Sequence, residues 1–133
     1  MKYLLDTNIC IHYLNGTSLS VRERLQTLSP RDIALCAVVK SELLAGAYKS
    51  AVYDKVRSRL DVFFHAFESL PFDDIAADIY GKVRSDLEQV GMVIGPYDMQ
   101  IASIAIAHNL TLVTHNTREF SRIQNLRYEN WVK

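Results

Sequence analysis

The strongest constraint on the fold is a series of short apolar runs, none long enough for a helix, separated by stretches of helical periodicity. Tyr3–Leu5, Ile33–Val38, Leu70–Phe72, Leu110–Thr114 and Leu126–Tyr128 read as strands. Runs this apolar belong to strands buried on both faces, as in parallel sheets. Between them, Thr7 or Asn8 caps a helix through about Leu14, ended by Asn15-Gly16. Ser20–Leu28 is helical up to Pro30, and Ser41–Lys49 is helical again. Ala51–Phe67 carries Val52, Val56, Leu60, Phe63, Phe64 and Phe67 along one side. After Asp73-Asp74, the stripe Ile75, Ile79, Val83, Leu87 and Val90 defines a further helix that Gly91 ends. Tyr97–His108 is apolar nearly all round, Asn109 closes it, and Thr117–Ser121 is a helical turn. Strands alternating with helices imply one α/β domain over residues 1–133, with helices on both faces of a parallel sheet.

In such folds, active sites collect beyond the carboxyl ends of the strands. Asp6 ends the first strand there. Glu42 opens the helix after the second strand, and Asp98 lies near the start of the most apolar helix. Glu119 follows the strand Leu110–Thr114, with Asn116 between them. Taken singly, each has a plain structural role. Asp6 and Asp98 suit helix caps, Glu42 a first-turn dipole partner and Glu119 a solvated surface. Thr7 reads either as a cap or as a donor that orients Asp6.

Taken together they imply a cation. Two carboxylates about 5 Å apart repel by roughly 3 kcal/mol at an effective dielectric near 20. Three or four must raise one another's pKa values or hold a cation. An all-oxygen set favours Mg²⁺ or Mn²⁺. The chemistry these ions support is activation of water for attack on a phosphodiester.

The remaining composition narrows the alternatives. Of 133 residues, 15 are basic and 15 acidic, so a general phosphate-neutralising coat is disfavoured and shape selection of a nucleic acid is favoured. Cys10 and Cys36 form no C-x-x-C pair and read as buried, reduced thiols. His12, His65, His108 and His115 lack zinc spacing, and His115 alone lies near the acidic motifs. Arg118, Arg122 and Arg127, with Lys40 and Lys49 beside Glu42, read as a solvated charged face with phosphate contact as the alternative. Tyr97 suits base stacking or core packing equally. Asn8 stands where an aspartyl phosphatase needs a second acid, and no phosphate-binding P-loop occurs. The acid pair of a receiver domain is missing. No secretory signal or membrane span is expected, which points to the cytoplasm.

Four segments in order carry a family resemblance: Leu4-Leu5-Asp6-Thr7-Asn8, Ser41-Glu42-Leu43-Leu44-Ala45-Gly46, Asp98-Met99-Gln100-Ile101-Ala102, and Leu112-Val113-Thr114-His115-Asn116-Thr117-Arg118-Glu119-Phe120. Together they resemble the motifs of PIN-domain ribonucleases, and closely those of the VapC toxins of type II toxin–antitoxin modules. The resemblance implies a PIN domain over residues 1–133, with a sheet of four or five strands in the order 3-2-1-4-5. It implies a Mg²⁺- or Mn²⁺-dependent endoribonuclease, usually homodimeric, that blocks translation until a VapB-type antitoxin neutralises it. Asp6 and Asp98 would be the main metal ligands. Glu42 would be a further ligand or would position a water, and Glu119 or Asn116 would complete the site. Many PIN domains carry aspartate where this chain has Asn116, which lowers the site charge by one. The Thr-His-Asn-Thr-Arg-Glu-Phe stretch resembles the subgroup that cuts initiator tRNA in its anticodon loop. A non-catalytic PIN-like module that only binds RNA or protein is the competing reading.

Overall fold

The computed structural model describes residues 1–133, and its five strands form one all-parallel sheet of order β3-β2-β1-β4-β5. The strands are β1 (Tyr3–Leu5), β2 (Ile33–Cys36), β3 (Glu68–Leu70), β4 (Thr111–Val113) and β5 (Tyr128–Glu129). β1 is central: Tyr3 pairs with Ile33 on one side and with Thr111 on the other. Every residue of β2 is buried. Successive strand residues face opposite ways, so helices cover the sheet on both faces.

Seven α-helices supply that cover: α1 (Thr7–Asn15), α2 (Leu19–Gln26), α3 (Ala37–Tyr48), α4 (Tyr53–His65), α5 (Asp74–Gln89), α6 (Pro96–Ala107) and α7 (Thr117–Phe120). Gly16 ends α1 in the left-handed region at φ 65°, where its N–H bonds back to the carbonyls of His12 and Tyr13. Asn109 likewise turns the chain after α6 at φ 55°. Residues 101–105 of α6 are buried without a break, as its apolar sequence requires. Cys10 and Cys36 are buried and unbridged, and burial raises both thiols, Cys36 to about 11. Both therefore stay protonated and inert. The tail is held by Trp131, which packs edge-on against Tyr3 with the Arg24 guanidinium over its ring.

Several expected boundaries move. Asp6, not Thr7 or Asn8, is the N-cap of α1. β2 stops at Cys36, and α3 begins at Ala37 rather than Ser41, so Glu42 lies in the second turn of its helix. β3 begins two residues earlier than expected and β5 two residues later, because the expected apolar runs overlap the flanking loops. Val52, Ile75 and Val90 are exposed instead of buried. In α5 the buried face is built on Ala76, Val83 and Leu87. A strict four-residue spacing drifts by about 40° per step, which carries Ile75 off that face. Val90 lies beyond the last helical turn, just before the reversal at Gly91.

Candidate active site

The chain leaves β1 directly into α1, so Asp6 sits where strand end and helix start meet. Its backbone N–H bonds to the Val113 carbonyl of β4, which fixes it against the neighbouring strand end. One carboxylate oxygen accepts the Thr7 backbone N–H at 2.8 Å, and the other accepts the Thr114 hydroxyl at 2.8 Å. The Thr7 hydroxyl turns the other way and donates to Glu42 Oε1 at 2.9 Å. Thr7 thus ties the first strand's aspartate to the third helix's glutamate.

Asp98 occupies the first turn of α6, after Gly95-Pro96, and is half-buried. Its carboxyl is pushed up to about 6, first by burial and then by the negative charges of Asp6, Glu119 and Glu42. Asp6 is also raised, by burial foremost and partly by Glu42, against the two hydrogen bonds that favour its charged form. Four carboxylates from separate elements therefore meet electrostatically at one sheet edge. No three of them close into a ready-made cluster tight enough to hold an ion unaided. An all-oxygen set of this kind fits a hard cation that keeps part of its water shell, as Mg²⁺ does.

Thr114 is the residue that sequence reasoning passed over. It is fully buried, donates to Asp6 and accepts the Asn116 backbone N–H at 3.0 Å. Its partner lies 108 residues away, and a threonine ending a strand reads locally as strand propensity alone. Thr114→Val leaves an Asp6 oxygen and the Asn116 N–H without partners in a buried setting. We expect it to lower stability by about 1–3 kcal/mol, read from the denaturant midpoint. An unchanged midpoint would contradict this role.

The rest of the set lies around these groups. Glu119 and Asn116 are half-buried on and before α7, and the Asn116 side chain does not cap that helix. His115 is exposed, bonds to Asn130 and faces the His12 ring edge-on at 6.2 Å. Tyr97 is 60% exposed beside Asp98, which removes core packing as its role. Arg118 is exposed and Arg122 half-buried, whereas Arg127 is engaged with the Asn109 carbonyl. Lys40 lies over the Phe64 ring at 4.9 Å.

The PIN domain family model matches residues 3–126. Over 134 aligned positions, with all of both chains covered, the sequence is 43% identical to "Ribonuclease VapC2" of Rickettsia felis. It is 37% identical to "tRNA(fMet)-specific endonuclease VapC" of Shigella flexneri, with 98% of each covered. The fold superposes on a chain of the crystal structure of VapBC2 from Rickettsia felis bound to a DNA fragment from their promoter. The TM-score there is 0.92 at 42% identity, over 98% of this chain and 99% of that one. The chain belongs to the PIN-domain family and, within it, to the VapC ribonucleases. PIN-domain nucleases are in general dependent on divalent metal. No helix of the chain is long and apolar enough to cross a membrane.

Proposed function

We propose that residues 1–133 form a single PIN domain acting as a Mg²⁺-dependent endoribonuclease, the toxin half of a toxin–antitoxin pair, with Mn²⁺ able to substitute. The observation that carries this reading is the meeting of Asp6, Glu42, Asp98 and Glu119 at one sheet edge, where burial first and then the charges of Asp6, Glu119 and Glu42 push the Asp98 carboxyl up. Asp6 and Asp98 would hold the ion, with Glu42 and Glu119 completing its surroundings through water. Asn116 contributes a neutral carbonyl or a water contact, which favours a single ion over two. A bound divalent ion supplies an acidified water and neutralises charge developing on the phosphate.

The chain's own residues supply positioning. Thr114 and the Thr7 N–H fix both oxygens of Asp6, so its orientation is set before anything binds. Glu42 is pinned through Oε1 by Thr7, and its second oxygen has no hydrogen-bond partner within the chain. That oxygen is the group suited to order the attacking water and take its proton.

The substrate reading follows the Shigella flexneri relative, whose name specifies tRNA(fMet). We expect cleavage of initiator tRNA in its anticodon loop, a block on translation, and neutralisation by a VapB-type antitoxin in the cytoplasm. A partner arginine entering so acidic a site would compete with the cation. A homodimer is the expected assembly of the free toxin. Purified protein should cut initiator tRNA with Mg²⁺, spare elongator tRNAs, and lose activity in EDTA. Equal cutting of every tRNA would overturn the substrate, and an intact panel would overturn the enzyme.

A further inference from the structure

The strand end that delivers Thr114 to Asp6 also delivers His115, and the carboxyl-terminal tail runs beside it. The Thr114 backbone N–H donates to the Glu129 carbonyl at 2.9 Å, which brings the next residue of each segment, His115 and Asn130, side by side. The tail is anchored there, because Trp131 is buried and its carbonyl accepts the Ser20 hydroxyl at 2.7 Å. Asn130 Oδ1 accepts the Val132 backbone N–H at 3.0 Å, which fixes the amide with its nitrogen towards His115. That nitrogen lies 3.4 Å from His115 Nδ1. An amide nitrogen only donates, so Nδ1 accepts and the neutral imidazole carries its proton on Nε2.

The ring is also braced from α1. His12 meets it edge-on at 6.2 Å, and His12 Nδ1 is itself bonded to the Thr17 hydroxyl at 2.8 Å. His115 is nonetheless exposed, and its Nε2–H has no partner within the chain. Hydrogen bonds between exposed neutral groups add little to stability, so the fold alone does not account for ordering this ring from two other segments. What the arrangement does is present one N–H donor in a fixed direction, between Thr114, which bonds to Asp6, and Asn116. A donor ordered in advance lowers the entropy lost when a ligand binds.

We infer that His115 is a substrate-contact residue: its Nε2–H donates to an RNA backbone phosphate beside the one that is cut, and Asn130 and His12 hold the ring for that contact. The inference rests on the ribonuclease reading above and adds a substrate contact to it. With the ion bound, the cut phosphate has its charge relieved, while neighbouring phosphates still meet an acidic edge. Arg127 is engaged with the Asn109 carbonyl, and Lys40 lies over the Phe64 ring. A neutral N–H binds a phosphate oxygen without pairing to Asp6, Glu42, Asp98 or Glu119, as a lysine or arginine in its place would.

The test uses the purified full chain in Mg²⁺ and synthetic RNA spanning the site that wild type cuts in initiator tRNA. His115→Ala should raise KM by roughly tenfold while kcat stays within about threefold, because the group contacted does not react. His115→Gln places a neutral amide N–H near the position of Nε2–H and should recover most of that loss. Asn130→Ala should raise KM by less, and combined with His115→Ala it should raise KM no further. The phosphate is identified with a 2′-deoxy methylphosphonate at each linkage flanking the cut in turn, compared with the 2′-deoxy phosphodiester there. One linkage should penalise wild type and leave His115→Ala indifferent. Equal penalties in the two proteins at every linkage overturn the inference and leave His115 to a base or a partner protein. An unchanged KM in His115→Ala, a fall in its kcat beyond about threefold, or a His115→Gln no better than His115→Ala also overturns it. An Asn130→Ala effect of the same size with and without His115 overturns the positioning role. No cleavage of initiator tRNA by wild type removes the ribonuclease reading, and the inference with it.

Discussion

Asp98→Asn is expected to lose RNA cleavage by about 10²-fold or more and, in the same protein, to raise thermal stability without metal. Both effects come from one carboxyl. Asp98 is pushed up from the usual 3.8 to about 6 by burial and by Asp6, Glu119 and Glu42. A carboxyl raised in the folded state holds its proton there after the unfolded chain has released it. Its contribution to stability is thus full below the unfolded value and lost as pH rises through about 6. At pH 7.5 in EDTA the wild-type site carries unrelieved like charge. Asparagine removes one of those charges. Melting curves in EDTA should show the variant above wild type at pH 7.5, with the difference gone below the unfolded aspartate value. A lower melting temperature for Asp98→Asn at pH 7.5 would contradict the electrostatic account of the site.

Asp6→Asn should abolish cleavage to the same degree, with a different stability signature. Asparagine is as good an N-cap as aspartate, so its carbonyl keeps the Thr7 N–H. Its amide group then faces the Thr114 oxygen, which already accepts from Asn116, and the Thr114 proton loses its acceptor. Stability should stay within about 1 kcal/mol of wild type because one hydrogen bond is exchanged while a buried charge is removed. The denaturant midpoint measures the first part and a cleavage assay at saturating Mg²⁺ the second. A normal rate at saturating Mg²⁺ would show that Asp6 is not a ligand.

The acidic residues themselves were legible in the sequence because strand ends and helix starts have local signatures. Asp6 follows an apolar run, and Asp98 follows Gly95-Pro96 at the head of a helix apolar all round. The sheet order expected from the four motifs is the order found. The bonds that orient the carboxylates were less accessible. Thr7 faces Glu42 across 35 residues and Thr114 faces Asp6 across 108, and no local pattern encodes either pairing. The misplaced positions have the same origin. Ile75 carries the right hydropathy for α5, yet the face that α6 covers is set by Ala76, Val83 and Leu87. Glu42 was expected to open a helix beginning at Ser41, whereas α3 begins at Ala37 and the Ser41 hydroxyl donates back to the Val38 carbonyl inside it.

On the proposed mechanism these carboxylates would direct a metal-activated water, and not the RNA 2′-hydroxyl, at the phosphodiester. The ends of the cut RNA report that choice directly. Expulsion of the 3′-oxygen by an attacking water leaves a 3′-hydroxyl and a 5′-phosphate, while attack by the 2′-hydroxyl leaves a 2′,3′-cyclic phosphate. Fragments of initiator tRNA made by wild type in Mg²⁺ should carry 5′-phosphate and 3′-hydroxyl ends, and should vanish in EDTA. Cyclic phosphate ends, or undiminished cleavage in EDTA, would contradict it.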